Sequence, residues 1–410
     1  MTVTERRGRV AAVGAVGADA QALFEEARHR RRRRYVWGAA TIFVLVCGLV
    51  LSLVFSIGAG RKAAPAGVAG IGSTATRHSV RPLSFSAAFV PSQVISASRK
   101  IWVLGSTAPG NLCAMAEVDP VSLRTTTFAL PACGSYVAVG GGRIFLADGV
   151  FTGATDTTTF HIESFDTATG AAVVMAPVDV TTTGTGYAHM SMTYGEDSLW
   201  LTTWGSDGDV LQISPSTGAV VRTITEAPLT NGGGHPIVAG GGSGLWSAPG
   251  IGGPEVIDRL APGSQTPVTV FTGSEPGGIW FLSVVGDRVW AVVASSRDEG
   301  RSFVTRLVAL DGNGRTVLEV SFRQLGESAI VGSGDDLWAL TSGAACTGRQ
   351  RLWRINGRTG TLVATASFAS AVVPCLSAFD AADFAAVGND VFVLGAGDSP
   401  DSPAVSRIAT

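Results

Sequence analysis

The chain has 410 residues, a formal net charge of −2, 46% hydrophobic residues, 53 Gly and only 15% charged residues. That composition excludes a disordered chain and fits a β-rich, turn-rich fold, and a repeat architecture lets one domain exceed the usual size limit. The charge is divided unevenly: residues 1–34 carry nine Arg against four acids, whereas residues 58–410 carry an acidic excess, so no basic face remains for nucleic acid.

Lys62 and Lys100 are the only lysines, a bias that GC-rich genomes produce and that points to a bacterial source. Asp19 to Arg34 reads as a short helix with Asp19 as N-cap, ending in Arg28, Arg30, Arg31, Arg32, Arg33 and Arg34. Residues 35–57 follow as an uncharged apolar run of 23 residues. As a helix this run spans about 34 Å, enough to cross a hydrocarbon layer of about 30 Å. The Arg cluster outweighs Arg61 and Lys62 on the other flank, so the expected topology is N-terminus cytoplasmic and C-terminus outside, with the bilayer as partner. The apolar core of a cleaved signal peptide is about 7 to 15 residues, shorter than this run, so an uncleaved anchor is expected.

Residues 58–79 are rich in Gly, Ala and Ser without apolar periodicity and read as a flexible linker. Beyond it one pattern recurs: a short apolar strand, a Gly-containing turn, then a second strand opened by an aliphatic–aromatic pair. The aromatics are Trp102, Phe145, Trp200, Trp246, Trp290, Trp338 and Phe392. Before them stand Val139-Gly140, Tyr194-Gly195, Ala239-Gly240, Val285-Gly286, Val331-Gly332 and Val387-Gly388, expected to end the innermost strand in a tight turn. After them come hairpin signals at Asp119-Pro120, Asp166 to Gly170, Ser214 to Gly218, Ala261 to Gly263, Asp311 to Gly314 and Asn356 to Gly360.

The spacing predicts an all-β, seven-bladed β-propeller of four-stranded blades over residues 80–410, expected to be monomeric. Six blades are complete. The seventh stops at Thr410 after three strands, and residues 81–90 are expected to supply its fourth, which would remove the exposed edges of an open array.

Cys47 lies in the apolar run; Cys113, Cys133, Cys346 and Cys375 lie beyond it, where an oxidising compartment favours disulfides. Four cysteines allow three connectivities. In a propeller, the loops joining second to third strands and those joining outer to next inner strands emerge on one side, and the four cysteines are expected in such loops. That favours Cys113 with Cys133 and Cys346 with Cys375, each worth about 3 kcal/mol by loop entropy.

Gly-Ser-Gly-Leu-Trp at 242–246, Ser-Leu-Trp-Leu-Thr at 198–202 and Ile-Ser-Pro-Ser-Thr-Gly at 213–218 resemble extracytoplasmic propellers of the NHL, YVTN and virginiamycin-B-lyase-like kind. The resemblance covers residues 80–410 and is one of repeat grammar, which specifies a fold and hosts many functions. The Thr-Gly turns also look like those of quinoprotein propellers. The tryptophan that follows them there is missing here, so pyrroloquinoline quinone is not supported.

His189 and His235 each stand 11 residues before their blade's Trp, at the start of an inner strand near the channel mouth, and the same offset in blade 6 gives Glu327. His-Pro-Ile-Val-Ala-Gly at 235–240 is similar to the inner strand of virginiamycin-B-lyase-like repeats, where such histidines serve metal binding and elimination chemistry. Two imidazoles and a carboxylate would suit a divalent metal with an open position. Pro91, Gly134, Ile279 and Ala381 at the matching positions argue for an unspecialised channel instead. His161 shares one face of a third strand with Glu163 and reads as surface, and Trp204, Trp280 and Trp353, out of register, are surface candidates. Asp207 to Asp209 and Asp311 to Gly314 lack the spaced acids of a calcium loop.

No complete catalytic set is visible. The leading expectation is a non-enzymatic, membrane-anchored binding module for an extracytoplasmic protein, glycan or small molecule. A metal-assisted lyase and a sensor acting through a cytoplasmic partner are the alternatives.

Overall fold

The computed structural model describes residues 80–86, 89–107, 112–152, 157–181, 190–203, 209–224, 237–248, 255–273, 277–297, 302–322, 328–341, 349–369, 384–396 and 403–409. The tail with its Arg cluster, the apolar run and the linker lie outside these residues. Among those described, no helix is long and apolar enough to cross a membrane.

Seven antiparallel sheets form in sequence order. Blade 1 consists of Phe89–Ala97, Lys100–Thr107, Leu112–Val118 and Thr125–Ala129. Blades 3 to 6 repeat this up-and-down order over residues 190–224, 237–272, 277–322 and 328–369. Blade 2 begins with Tyr136–Gly140, Arg143–Thr152 and Thr157–Asp166, and its outer strand is split into Ala172–Val174 and Val178–Thr181, both paired with the third strand. Pro177 lies in the interruption, where it has no N–H to give to the ladder.

Blade 7 combines Phe384–Val387, Asp390–Ala396 and Pro403–Ala409 with Val80–Pro82, in the register Val80↔Ile408 and Pro82↔Ser406. The ring is therefore closed from both ends of the chain. The closing strand is shorter and earlier than expected from residues 81–90, because Phe89 and Val90 already pair with Thr107 and Ser106 in blade 1.

Each second strand is covered on both faces by neighbouring blades, which explains why it reads as an unbroken apolar run instead of an alternation. Ile101 to Leu104 and Leu337 to Leu340 are all buried. Outer strands such as Thr125–Ala129 and Val220–Ile224 have one covered face at most and are largely exposed. Trp102, Trp200, Trp246, Trp290 and Trp338 are each at most 1% exposed and pack between blades. Guanidinium groups lie over three of them, Arg222 at 5.2 Å from Trp200, Arg259 at 5.5 Å from Trp246 and Arg354 at 5.4 Å from Trp338.

The glycines that end the inner strands have two different roles. Gly286 and Gly388 adopt φ of 61° and 60°, as the turn requires. Gly195 and Gly240 do not, and are needed for close approach: a Cβ on Gly195 would lie 2.8 Å from the Gly240 Cα of the next blade. The tight turns also form where the sequence places them. Asp119, Asp166, Asp311 and Asn356 accept backbone N–H groups two to four residues ahead.

Candidate functional site at blades 1 and 2

The up-and-down order puts inner-to-second and third-to-outer turns on one side of the ring, here called the turn side. The second-to-third and outer-to-inner connections leave on the other, the connection side. His189, His235 and Glu327 fall in outer-to-inner connections and lie outside the described residues, as do Cys346, Cys375, Ala381 and Trp204. Among the described residues, no group of three or more His, Cys, Asp or Glu is placed to hold a metal ion.

The segment from Leu130 to Ser135, leading from blade 1 into blade 2, is described throughout, and polar groups gather beneath it. Cys113 and Cys133 lie at disulfide distance, Cα to Cα 5.1 Å, closing a separation of 20 residues. Cys113 sits inside the third strand of blade 1, one residue in from its start, and not in the loop where it was expected. It is buried among Trp102, Leu104, Met115 and Leu130, whereas Cys133 is exposed.

The Ala132 N–H donates to the Glu163 carboxylate. Glu163 is 4% exposed, and its Oε2 is buried without a hydrogen-bond partner among the described residues. Burial pushes its carboxyl above the ordinary glutamate range, against the effect of the Ala132 bond. His161, expected at the surface, is exposed, whereas Glu163 on the same strand face is buried. The difference is depth: Glu163 lies opposite Leu146, which packs against blade 1, while His161 lies two residues nearer the rim, opposite Asp148.

Asp148 is also raised, first by burial, against a bond from the Gly149 N–H at 3.0 Å, the His161 charge and the Ser135 hydroxyl. Gln93 of the blade 1 inner strand donates through Nε2 to the Ser135 carbonyl at 3.2 Å. A Cβ on Gly134 would lie 2.6 Å from the Leu146 Cβ, so this residue packs directly on blade 2.

A second buried charge lies between blades 4 and 5. Arg306 reaches Glu255 at 2.9 Å and Glu319 at 3.3 Å, and the Glu255 side chain is 1% exposed. Trp280 and Trp353, expected as surface residues, are half-buried against the core shared by blades 5 to 7, and Trp353 Nε1 donates to Thr341 Oγ1 at 3.3 Å. Their out-of-register positions are filled by neighbouring blades.

Sequence reasoning did not single out Asp148 or Ser135, and it gave Glu163 no role. A usable signal was present, since Phe165 shares the Glu163 strand face and is a core residue.

The architecture and site define a seven-bladed propeller of the all-β class. No family model matches the chain, and no curated protein matches it. Solved structures do resemble it in fold. Oligogalacturonate lyase in complex with manganese aligns at TM-score 0.51 and 12% identity, covering 81% of this chain and 96% of that one. The β-propeller domain of the Trilobed protease from Pyrococcus furiosus, described as having an open velcro topology, aligns at TM-score 0.48 and 9% identity over 79% of this chain and 94% of that one. Acylaminoacyl peptidase of Pyrococcus horikoshii gives TM-score 0.49 and 10% identity over 75% of this chain, which spans 49% of that enzyme. The first of these likenesses agrees with the propeller fold, and membership of the NHL, YVTN or virginiamycin-B-lyase families is not shown.

Proposed function

We propose that this propeller is a membrane-anchored extracytoplasmic binding module that presents its connection side to a protein, glycan or small-molecule ligand. The observation that carries the reading is the Glu163 carboxyl, buried beneath residues 130–135 with one oxygen unpartnered among the described residues. A rigid ring makes an ordering cost at binding small, and the varied connections of one side offer specificity without altering the blades. The apolar run 35–57 and the Arg cluster before it support the anchor and its direction.

The test is photo-cross-linking of the full chain in intact cells of its source. A photoreactive side chain is placed at Ser135 or His161 on the connection side, and at Arg358 on the turn side. The reading expects a discrete adduct from Ser135 and His161 that Arg358 does not give. Equal adducts from both sides, or none from the connection side, would overturn it.

The lyase alternative rests on the resemblance of residues 235–240, and would need His189, His235 and Glu327 to converge on a divalent metal. Metal content of the full chain, compared with a His189→Ala/His235→Ala variant, separates that reading from the first. The sensor alternative requires a cytoplasmic partner for residues 1–34, which affinity capture on that segment would recover.

A further inference from the structure

The segment 131–135 is held over blade 2 by a set of ties. One is the pairing of Cys133 with Cys113; the others are bonds from Ala132 to Glu163, from Ser135 to Asp148 and from Gln93 to the Ser135 carbonyl. The Ser135 N–H also donates to the Ala147 carbonyl at 2.9 Å. The two sulfurs differ sharply in environment: Cys133 is exposed, while Cys113 is buried within a paired strand. An incoming thiolate therefore has access to one sulfur only, and attack there expels the buried one.

We propose that the Cys113–Cys133 bond is a thiol-exchange site, opened from the Cys133 side by a two-cysteine protein reductant, and that its opening releases residues 131–135 and uncovers the Glu163 carboxyl. In the first step the reductant's thiolate bonds to Cys133 Sγ, the Cys113–Cys133 bond breaks, and Cys113 leaves as a thiolate that takes a proton. In the second, the reductant's other thiolate attacks the mixed disulfide and frees Cys133. The reductant ends as a disulfide, having supplied two electrons.

Cys113 remains fixed by its strand, where Ser106↔Cys113 is a ladder pair and the Cys113 carbonyl accepts from the Leu130 N–H at 2.9 Å. The blades therefore stay intact, and only the cover moves. The Glu163 carboxyl then gains access to water. The exchange chemistry is independent of the binding reading; only the consequence for a ligand rests on it, so the test below leaves ligand binding aside.

The experiment treats the full chain in lipid nanodiscs with increasing dithiothreitol, as a small dithiol probe, and follows three readouts. These are alkylation of Cys113 and Cys133 by mass spectrometry, far-ultraviolet circular dichroism, and amide hydrogen exchange. The expected result is alkylation of Cys133 with the β-signal unchanged, and exchange at Ala132 to Ser135 about tenfold faster while Ile144 to Leu146 stay protected. Alkylation that appears only as the β-signal is lost, or reduction that leaves exchange at Ala132 to Ser135 unchanged, would overturn the proposal. Because the measurement uses the unaltered chain, it does not depend on a variant folding.

Discussion

Lys100 and Glu117, 2.8 Å apart in blade 1, occupy the same two repeat positions as Asp336 and Arg354, 2.6 Å apart in blade 6, with the charges exchanged. One position stands two residues before the column aromatic; the other is that aromatic's cross-strand partner. Blade 7 fills the pair with Asp390 and Arg407 at 2.9 Å, blade 2 with Arg143 and Ser164 at 3.0 Å, and blade 3 with Ser198 and Gln212 at 2.8 Å. Five blades thus join their second and third strands by a polar pair at one place on the turn side, with four different combinations of residues.

Since both polarities occur, the geometry and not the sign is what the fold requires. Asp336→Ala is expected to destabilise the ring by about 1 kcal/mol, because the pair is only partly covered and Arg354 also rests on Trp338. The exchanged variant Asp336→Arg/Arg354→Asp should recover much of that loss. A double-mutant cycle in denaturant unfolding measures both.

The pair between blades 4 and 5 should behave differently. Glu255→Ala removes the covered partner of Arg306 and leaves it the more exposed Glu319, for which a loss of about 3 kcal/mol, the low end for a broken buried pair, is expected. The thermal midpoint should fall far more than for Asp336→Ala, and by little for Glu319→Ala, whose carboxylate is 45% exposed.

Glu163 sets a pH dependence of unusual sign. Its folded value is raised above the unfolded value of about 4.3, so the native chain binds the proton more tightly, and stability falls as pH rises from the unfolded value through the folded one. Glu163→Gln, which keeps the acceptor for Ala132 N–H, should be more stable than the parent at neutral pH and equal to it in acid. Unfolding curves collected across pH read this directly.

Asp119, Asp166 and Asp311 have the opposite sign. Bonds from turn N–H groups hold their carboxyls below the ordinary aspartate range, so their contribution is present above the unfolded value and is lost as pH falls through the folded one. Asp166→Asn should flatten the acid limb of the stability curve, since Asn356 makes the same turn without a charge, accepting from Thr359 N–H at 2.8 Å.

The glycines supply a contrast between steric and conformational cost. Gly195→Ala sets a methyl 2.8 Å from the Gly240 Cα and the Gly241 backbone N of the next blade and should cost about 2 kcal/mol or more. Gly142→Ala meets nothing within 4 Å and incurs only the strain of φ 73°, about 1 kcal/mol. Thermal unfolding of the two variants side by side tests the distinction.

The blade count was legible because the buried aromatics Trp102 to Phe392 recur at a period that loops vary but do not hide, and because Asp, Asn and Gly mark each outer hairpin. The closing of the ring was legible as a missing strand, though not its short extent. The cross-strand polar pairs were not legible: the residues of a pair stand 14, 17, 18 or 21 positions apart, so no fixed spacing reveals them before the second-to-third connection of each blade is known. The covered state of Glu163 depends on a segment from the preceding blade, 31 positions earlier at Ala132, and a strand read alone shows only an acid among apolar residues. His189, His235 and Glu327 share an offset from their aromatics, which places them in equivalent connections without saying whether they meet.

Display of the propeller outside the cell is the claim on which the binding account depends, and protease treatment of intact cells tests it most directly. With one epitope tag before Met1 and another after Thr410, the account predicts that the C-terminal tag is removed while the N-terminal tag survives until the membrane is opened. A C-terminal tag protected in intact cells and cleaved only after lysis would contradict it.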